Sequence, residues 1–230
     1  MRIVFIRHGK PDYKTDSLLP IGVTQAEAVA QRVKNCGISE IYASTMGRAL
    51  QTAAPVSREL GLDIIKCDFM REVTWGNDKG LELRLDGNPW LVVADMVKNG
   101  ENLDSAVWYE EEPFSENTRL FASIDRVVRG ADEWLADLGF KREGSYYRIT
   151  KEADGKTVAM VSHGGSSTVV LSHMLNIPFP RFCSFFRPYF TSLTVIELKG
   201  KVGELCSANV ITLAERYHVP TDDDIGEIKQ

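Results

Sequence analysis

Arg2-Ile3-Val4-Phe5-Ile6-Arg7-His8-Gly9 decides how the rest of this chain is read. From Arg2 to Ile6 it is a short, nearly continuous apolar run, the pattern of a strand buried on both faces as in a parallel sheet. The run stops at a cation, an imidazole and a glycine, and Gly9 permits a tight turn there. Ligands of open α/β sheets collect just outside the carboxyl ends of the strands. What matters next is which other charged groups the chain delivers to that place.

Outward from this strand, Lys10 to Leu19 is polar and reads as a loop over the strand ends. A helix is expected from Gly22, with Ala26, Val29, Ala30 and Val33 on its apolar face and Gly37 as its stop. Glu40 to Ala43 is a second strand. Ser44 and Thr45 offer caps for a helix that runs through Arg48 and Thr52 to Leu60 and closes at Gly61. Leu62 to Ile65 is a third strand, and the spacing predicts a parallel, right-handed βαβαβ unit.

The rhythm breaks between Arg71 and Gly139. This stretch holds Trp75, Trp90 and Trp108, and six carboxylates without a Lys or Arg between Glu101 and Glu116. It ends in the clearest helical periodicity of the chain, from Leu120 to Leu138. A mainly helical insertion at about 77–139 is expected, covering the sheet edge as a lid, with the acidic run as a solvated face. Ser145–Thr150 and Thr157–Val161 flank Asp154-Gly155, a hairpin-type turn. The second run leads into Ser162-His163-Gly164-Gly165 and a helix carrying Val169, Val170, Leu171, Met174 and Leu175, ended by Pro178. Leu193–Leu198 and Val202–Leu213 alternate as closing strands about Lys199-Gly200-Lys201. A single domain over residues 1–220 follows, with a mobile acidic tail at 221–230.

Bulk properties narrow the function classes. With 230 residues, 43% hydrophobic and 26% charged, the chain reads as a soluble globular protein. A net charge of −5 argues against a nucleic-acid partner. Cys36, Cys67, Cys183 and Cys206 form no CxxC pair, so no metal site is expected and the thiols read as free in a reducing cytoplasm. The first apolar run is too short for a signal peptide and no stretch approaches transmembrane length. A cytoplasmic location without a membrane partner is the expectation; the sequence specifies no oligomeric state.

Two strands end alike. Phe5–Gly9 and Met160–Gly165 each place a histidine and then glycine at a carboxyl end, and the second opens into a helix whose free N–H groups favour an anion. Arg48 lies in the first turns of a helix that itself follows a strand. Two arginines, two histidines and a helix N-terminus suit a phosphate dianion. The nucleotide loops GxxxxGK[ST] and GxGxxG after a strand are absent. Plainer readings exist for each residue: His8 satisfied in the core by a carbonyl, Arg48 paired with a carboxylate of its own helix, His163 as helix-cap geometry.

The arrangement resembles the histidine phosphatase superfamily, also called phosphoglycerate-mutase-like. Arg7-His8-Gly9 matches its Arg-His-Gly motif, and Gly22-Val23-Thr24-Gln25-Ala26 its G-x-x-Q-A. Ser44 through Ala53 matches S-x-x-x-R-A-x-x-T-A in full. Glu72 with Gly76 matches its acidic residue and following glycine, and His163 its late histidine. The resemblance implies a three-layer α/β/α sandwich with a mostly parallel, mixed sheet of six strands, one antiparallel. It implies a cofactor-free, metal-independent phosphomonoester hydrolase acting on a small phosphorylated metabolite. His8 would become a phosphohistidine; Arg7, Arg48, His163 and Gly164 would bind the phosphate. Glu72 would serve as acid and base, with Asp78 and Glu82 as rivals.

Departures from the family pattern bear on the substrate. Two positions after Arg-His-Gly, where mutases and many phosphatases have Ser or Thr, stands Pro11; five after, where they have Asn, stands Lys14. Lys14 can replace the lost amide with a point charge. Leu19 stands where a small polar residue precedes the first helix. No obvious second cation cluster offers itself beyond Arg181 and Arg187. Trp75, with Trp90, Trp108 and Tyr109, can line a leaving-group pocket. These features favour a phosphatase, acting on α-ribazole phosphate, a sugar phosphate or another monoester. A phosphoglycerate mutase and a non-catalytic phospho-ligand binder are the alternatives. His173 and His218 read as incidental.

Overall fold

The computed structural model describes residues 1–153 and 155–215, apart from the side chain of Ala214. Asp154, His218 and the tail 221–230 lie outside the described residues. Strand β1 (Arg2–Arg7) is followed by β2 (Pro11–Asp12), β3 (Ser17–Leu18), α1 (Pro20–Val33), β4 (Ile38–Ser44), α2 (Gly47–Leu60), β5 (Ile64–Cys67), α3 (Pro89–Lys98) and α4 (Thr118–Asp137). The chain continues through β6 (Phe140–Glu143), β7 (Tyr146–Ile149), β8 (Thr157–Ser162), α5 (Gly164–Leu175), α6 (Phe179–Phe185), β9 (Leu193–Leu198), β10 (Leu205–Cys206) and β11 (Ala208–Glu215).

The main sheet has six strands in the order β11-β9-β1-β8-β4-β5, and β9 alone runs against the others. Period-two alternation makes it the middle of three layers. Val4 and Ile6 of β1, with Ala159 and Val161 of β8, meet Val29, Val33 and Val56 from α1 and α2. Ile3, Phe5, Val158 and Met160 point the other way, into a core shared with α3, α4, α5 and α6. Each fully buried Ile, Val or Phe in these layers contributes about 1.5–3 kcal/mol relative to exposure.

One reading is completed and two expectations are corrected. The strands β1, β4 and β5 are parallel as the spacing predicts, but β1 and β4 do not pair: β8 lies between them. All six residues of β8 are buried, so only a central position satisfies both its faces. In β7, by contrast, Tyr147 and Ile149 are buried while Tyr146 is 53% exposed. That strand pairs with β6 across Gly144 (φ 60°) in a separate three-stranded ribbon, not with β8 across Asp154-Gly155. Finally, the insertion packs on a face of the sheet and not on its edge: Leu120, Val127, Ala131 and Leu135 of α4 share a core with Phe5 and Met160. Boundaries shift by small steps: α1 starts at Pro20, a first-turn proline, and the third strand spans Ile64–Cys67.

The turn after β1 is held by backbone-to-backbone contact. A Cβ on Gly9 would lie 2.5 Å from the Gly22 carbonyl oxygen, with no flexible side chain to give way. Gly9→Ala should therefore cost about 1–3 kcal/mol, as overpacking does. Urea unfolding should show a lower midpoint at unchanged slope; a wild-type midpoint would mean that the two segments separate freely.

Candidate active site

Strand register explains why distant parts of the chain meet. Arg7 lies opposite Ser162, and Val161 opposite Ala43, so β1, β8 and β4 release the chain at one level. His8 and His163 follow at that level, with ring centroids 5.1 Å apart and planes at 60°. The His8 N–H donates to the Ser162 carbonyl at 2.9 Å, extending the ladder past the strand. The next two amides are taken by side chains from the helices: Gly9 N–H by Thr52 Oγ1 (3.0 Å) and Lys10 N–H by Gln25 Oε1 (2.8 Å). Gln25 and Thr52, both motif residues, thus brace the histidine loop.

The His8 imidazole is 1% exposed, and its Nδ1 lies 2.7 Å from the Gly9 carbonyl. A carbonyl only accepts, so Nδ1 carries the proton and Nε2 presents a lone pair. Arg48 Nε donates to that Nε2 at 3.3 Å. Burial drives the His8 pKa well below its ordinary value, and the charges of Arg7 and Arg48 lower it further against the opposing pull of the Gly9 carbonyl. His163 is 0% exposed; its Nε2 is 2.8 Å from Ser44 Oγ and its Nδ1 has no hydrogen-bond partner among the described residues. Burial again lowers its pKa first, with His8, Arg48 and Arg7 behind it. Two neutral imidazoles therefore sit among guanidinium groups.

Arg48, 4% exposed, also pairs through NH1 with Asp16. The second oxygen of that carboxylate accepts from Gly47 N–H at 2.6 Å. Asp16 thereby serves the N-terminus of α2, which starts after Met46 with no side-chain cap. Of the expected caps, Thr45 is engaged on Asp68 (2.9 Å), and Ser44 lies on His163 while its Oγ also accepts from the Met46 N–H (3.3 Å), just ahead of the helix. Asp16 does not draw Arg48 away, because Nε stays on His8 while NH1 takes the carboxylate. Arg7 donates through NH1 to the Pro188 carbonyl at 2.6 Å, and its guanidinium lies 4.1 Å from the Phe190 ring centroid. Its Nε is buried without a hydrogen-bond partner among the described residues.

Glu72 meets the same corner. Its carboxylate accepts from Val73 N–H (2.9 Å), Ser166 N–H (3.0 Å) and Gly165 N–H (3.3 Å). The N-terminus of α5 is thus occupied by the protein's own anion, where sequence reading leaves those amides for a ligand. A Cβ on Gly165 would stand 2.5 Å from Glu72 Oε1.

A cavity of about 810 Å³ adjoins these groups, with Arg7, Arg48, Glu72 and Gly164 in its wall. His8 and His163, being buried, lie behind that wall. Trp75 and Trp90, edge to face at 6.0 Å, line it with Tyr13. Arg71, Arg126 and Arg187 line it too. The expectation of no second cation cluster beyond Arg181 and Arg187 is corrected accordingly: Arg181 is ion-paired with Asp104 outside the cavity, and Arg71 and Arg126 join Arg187. Lys14 is exposed and outside the wall, and Tyr13 beside it stands over Arg48, 5.4 Å from ring centroid to guanidinium carbon. Trp108 and Tyr109 also leave the cavity; Trp108 packs on Phe114, Phe121 and Phe179. Asp78 pairs with Arg119.

Sequence reading gives no role to Asp16, Tyr13, Arg71 or Arg126. A signal existed for Asp16 alone: Asp is a residue that tolerates the left-handed region, and it has φ 51° in the turn between β2 and β3. Arg126 carries none, since it sits among apolar positions of α4 and spends its guanidinium on the carbonyls of Phe69, Arg71 and Glu72.

A three-layer sandwich with paired histidines at adjacent strand ends is the phosphoglycerate-mutase-like architecture. The chain belongs to the histidine phosphatase superfamily (branch 1), whose family model matches residues 3–211. Among its relatives is the probable phosphoglycerate mutase GpmB of Yersinia pestis (strain Pestoides F), 27% identical over 227 residues, covering 89% of this chain and 95% of that one. A solved mycobacterial glucosyl-3-phosphoglycerate phosphatase shares the fold at TM-score 0.62 and 19% identity, over 93% of this chain and 98% of that one. The α-ribazole phosphatase of Shigella flexneri does so at TM-score 0.60 and 18% identity, over 96% and 100%.

Neutral histidines are directly observable. Both native pKa values are lowered, so at pH 6.5, where an exposed imidazole is half protonated, both rings should remain neutral. Nitrogen-15 NMR should show His8 protonated at Nδ1 and bare at Nε2; imidazolium signals from either ring at that pH would refute the electrostatic picture.

Proposed function

We propose that the chain is a phosphomonoester hydrolase that acts through a phosphohistidine on a small phosphorylated metabolite. One observation carries this reading: the neutral His8 ring, with Nδ1–H fixed on the Gly9 carbonyl and Nε2 turned toward Arg48, beside Arg7 and His163. An entering phosphate takes over Arg48 from Nε2 and frees the lone pair that attacks. As the nitrogen–phosphorus bond forms, the bond from phosphorus to the leaving oxygen breaks. Arg7, Arg48 and the unpartnered Nδ1 of His163 hold the non-bridging oxygens, where charge spreads in the transition state.

Glu72 takes the proton that the phosphate monoester brings as its monoanion, passes it to the departing oxygen, and then takes one from the water that cleaves phosphohistidine. Among the described residues it is the one acidic side chain in the cavity wall. Retention of the proton on Nδ1 makes His8 a good leaving group in that second step. Arginine cations supply the charge stabilisation that Mg²⁺ gives in other phosphoryl transfers. The segment around 77–139, which contributes Trp90 and Leu91 to the wall, is proposed as the lid that selects the leaving group.

A phosphoglycerate mutase is the second reading. The likeness to GpmB and the additional cavity arginines favour it; Pro11 and Lys14 in place of the family's hydroxyl and amide count against it.

With EDTA present, the purified protein should hydrolyse p-nitrophenyl phosphate, and His8→Ala should lower kcat by about 10³-fold or more. Mass spectrometry of quenched wild type should find phosphate on His8. Conversion of 3- to 2-phosphoglycerate without net hydrolysis would select the mutase, and no turnover of any monoester would select a binder. Asp16→Asn keeps an acceptor for Gly47 but gives Arg48 a neutral partner. Its kcat should fall about tenfold, the worth of one charged hydrogen bond, with unfolding midpoint near wild type; an unchanged kcat would mean that Arg48 holds its place unaided.

A further inference from the structure

The arginines of the cavity divide by what they already hold. Arg7 and Arg48 belong to the histidine corner. Arg126 is occupied by three backbone carbonyls, those of Phe69, Arg71 and Glu72. Arg71 and Arg187 are different. The side chain of Arg71 is 54% exposed and, among the described residues, its ion pair is a long contact, 4.0 Å, to the exposed Asp68. Arg187 is exposed and donates to the Trp90 carbonyl at 3.4 Å. Both line the cavity, and no acidic side chain but Glu72 shares its wall among the described residues.

Each is also anchored next to the chemistry. Arg71 directly precedes Glu72, and Arg187 directly precedes Pro188, whose carbonyl holds Arg7. The volume of about 810 Å³ exceeds what one phosphate fills and is in the range of sites for whole small molecules. A lone phosphate bound at the histidine corner would not use these two guanidinium groups, which share the wall with Val73, Trp75, Trp90 and Leu91. Guanidinium groups in such a setting are suited to carboxylate or phosphate oxygens.

Building on the phosphomonoesterase reading, we infer that Arg71 and Arg187 form a second anion subsite. The substrate then carries, besides its scissile phosphate, a carboxylate or second phosphate on the leaving group. The body between the two anions lies against Trp75 and Trp90. The subsite contributes to KM and to the choice of substrate; the reacting bond stays with His8 and Glu72.

A matched series tests this on the intact protein: phenyl phosphate, 4-carboxyphenyl phosphate, 1,4-phenylene bisphosphate, and the flexible pair of propyl phosphate and 3-phosphopropionate. At least one doubly anionic ester should exceed its neutral counterpart in kcat/KM by about tenfold or more, mainly through KM. The carboxylate and bisphosphate arms identify which anion the subsite takes. In R71Q/R187Q that ratio should return toward one, and in R187E it should fall below one, whatever happens to the phenyl phosphate rate itself. A ratio near one in wild type, or a ratio the variants leave unchanged, overturns the subsite while leaving the hydrolase reading intact. Absence of phenyl and propyl phosphate hydrolysis together with that of every anionic ester would instead overturn the hydrolase reading on which the subsite rests.

Discussion

Arg48 is a buried cation held between an imidazole and a carboxylate, and much of the surrounding structure exists to make that tolerable. A guanidinium group that is 4% exposed needs hydrogen-bonding partners that offset its lost hydration. His8 Nε2 serves one edge and Asp16 the other. Asp16 reaches it because the loop after β1 doubles back as the small β2–β3 ribbon, with Asp16 itself in a left-handed conformation. The same carboxylate then meets the first amide of α2, the helix that carries Arg48. One anion thus fixes both the arginine and the end of the helix from which it extends. Gly47 is required at that junction, since a Cβ there would overlap the Asp16 carbonyl.

The electrostatic result is asymmetric. Asp16 balances part of the Arg48 charge on the side away from the histidines, while the imidazoles see two guanidinium groups and almost no water. Desolvation is the largest cause of the lowered pKa values at both rings, and the arginines act in the same direction. The His8 nitrogen proposed as the nucleophile is thereby kept unprotonated in a region of positive potential, the condition under which a phosphate dianion would be drawn to a neutral base. The helix N-terminus contributes differently from what strand-to-helix geometry alone suggests. Its amides orient Glu72, so the dipole of α5 positions an acidic group of the protein beside the proposed phosphate site.

How much of this was legible in the sequence depended on whether a feature is local. Apolar runs and glycine stops placed most helices and strands to within a few residues, because burial period and capping act over short spans. The order of the strands was not local. That β8 enters between β1 and β4 follows from burial of both its faces, and a linear reading pairs neighbours in sequence first. His8, Arg48, Glu72 and His163 were readable as motif positions. Among their supports Gln25, Ser44 and Thr52 were motif positions too, but what they hold was not readable: Ser44 acts across 119 residues on His163, and Asp16, outside every motif, acts through a turn conformation. Lys14 and Arg181 illustrate the converse. Charge near a motif marks them, but one points to solvent and the other finds Asp104.

The insertion is tied to the chemistry more closely than a covering element need be. Arg126 of α4 grips the carbonyls of Phe69, Arg71 and Glu72, and Ser123 accepts from Thr74 N–H at 3.1 Å. One turn earlier, the Arg119 amide donates to the Gly76 carbonyl at 3.0 Å, and Asn117 Oδ1 accepts from Gly76 N–H at 2.8 Å. The segment from Phe69 to Gly76 is therefore fastened along one helix face, and it carries Glu72, Arg71 and Trp75 together. A shift of α4 relative to the sheet would pull on the backbone that carries an acid, a cation and an aromatic wall, while the α5 amides hold the Glu72 carboxylate and His8 and Arg48 stay with β1 and α2. The packing of α4 thus bears on the Glu72 side of the candidate site, whereas Arg48 is set from the other face of the sheet by α2 and by Asp16 of the β2–β3 ribbon.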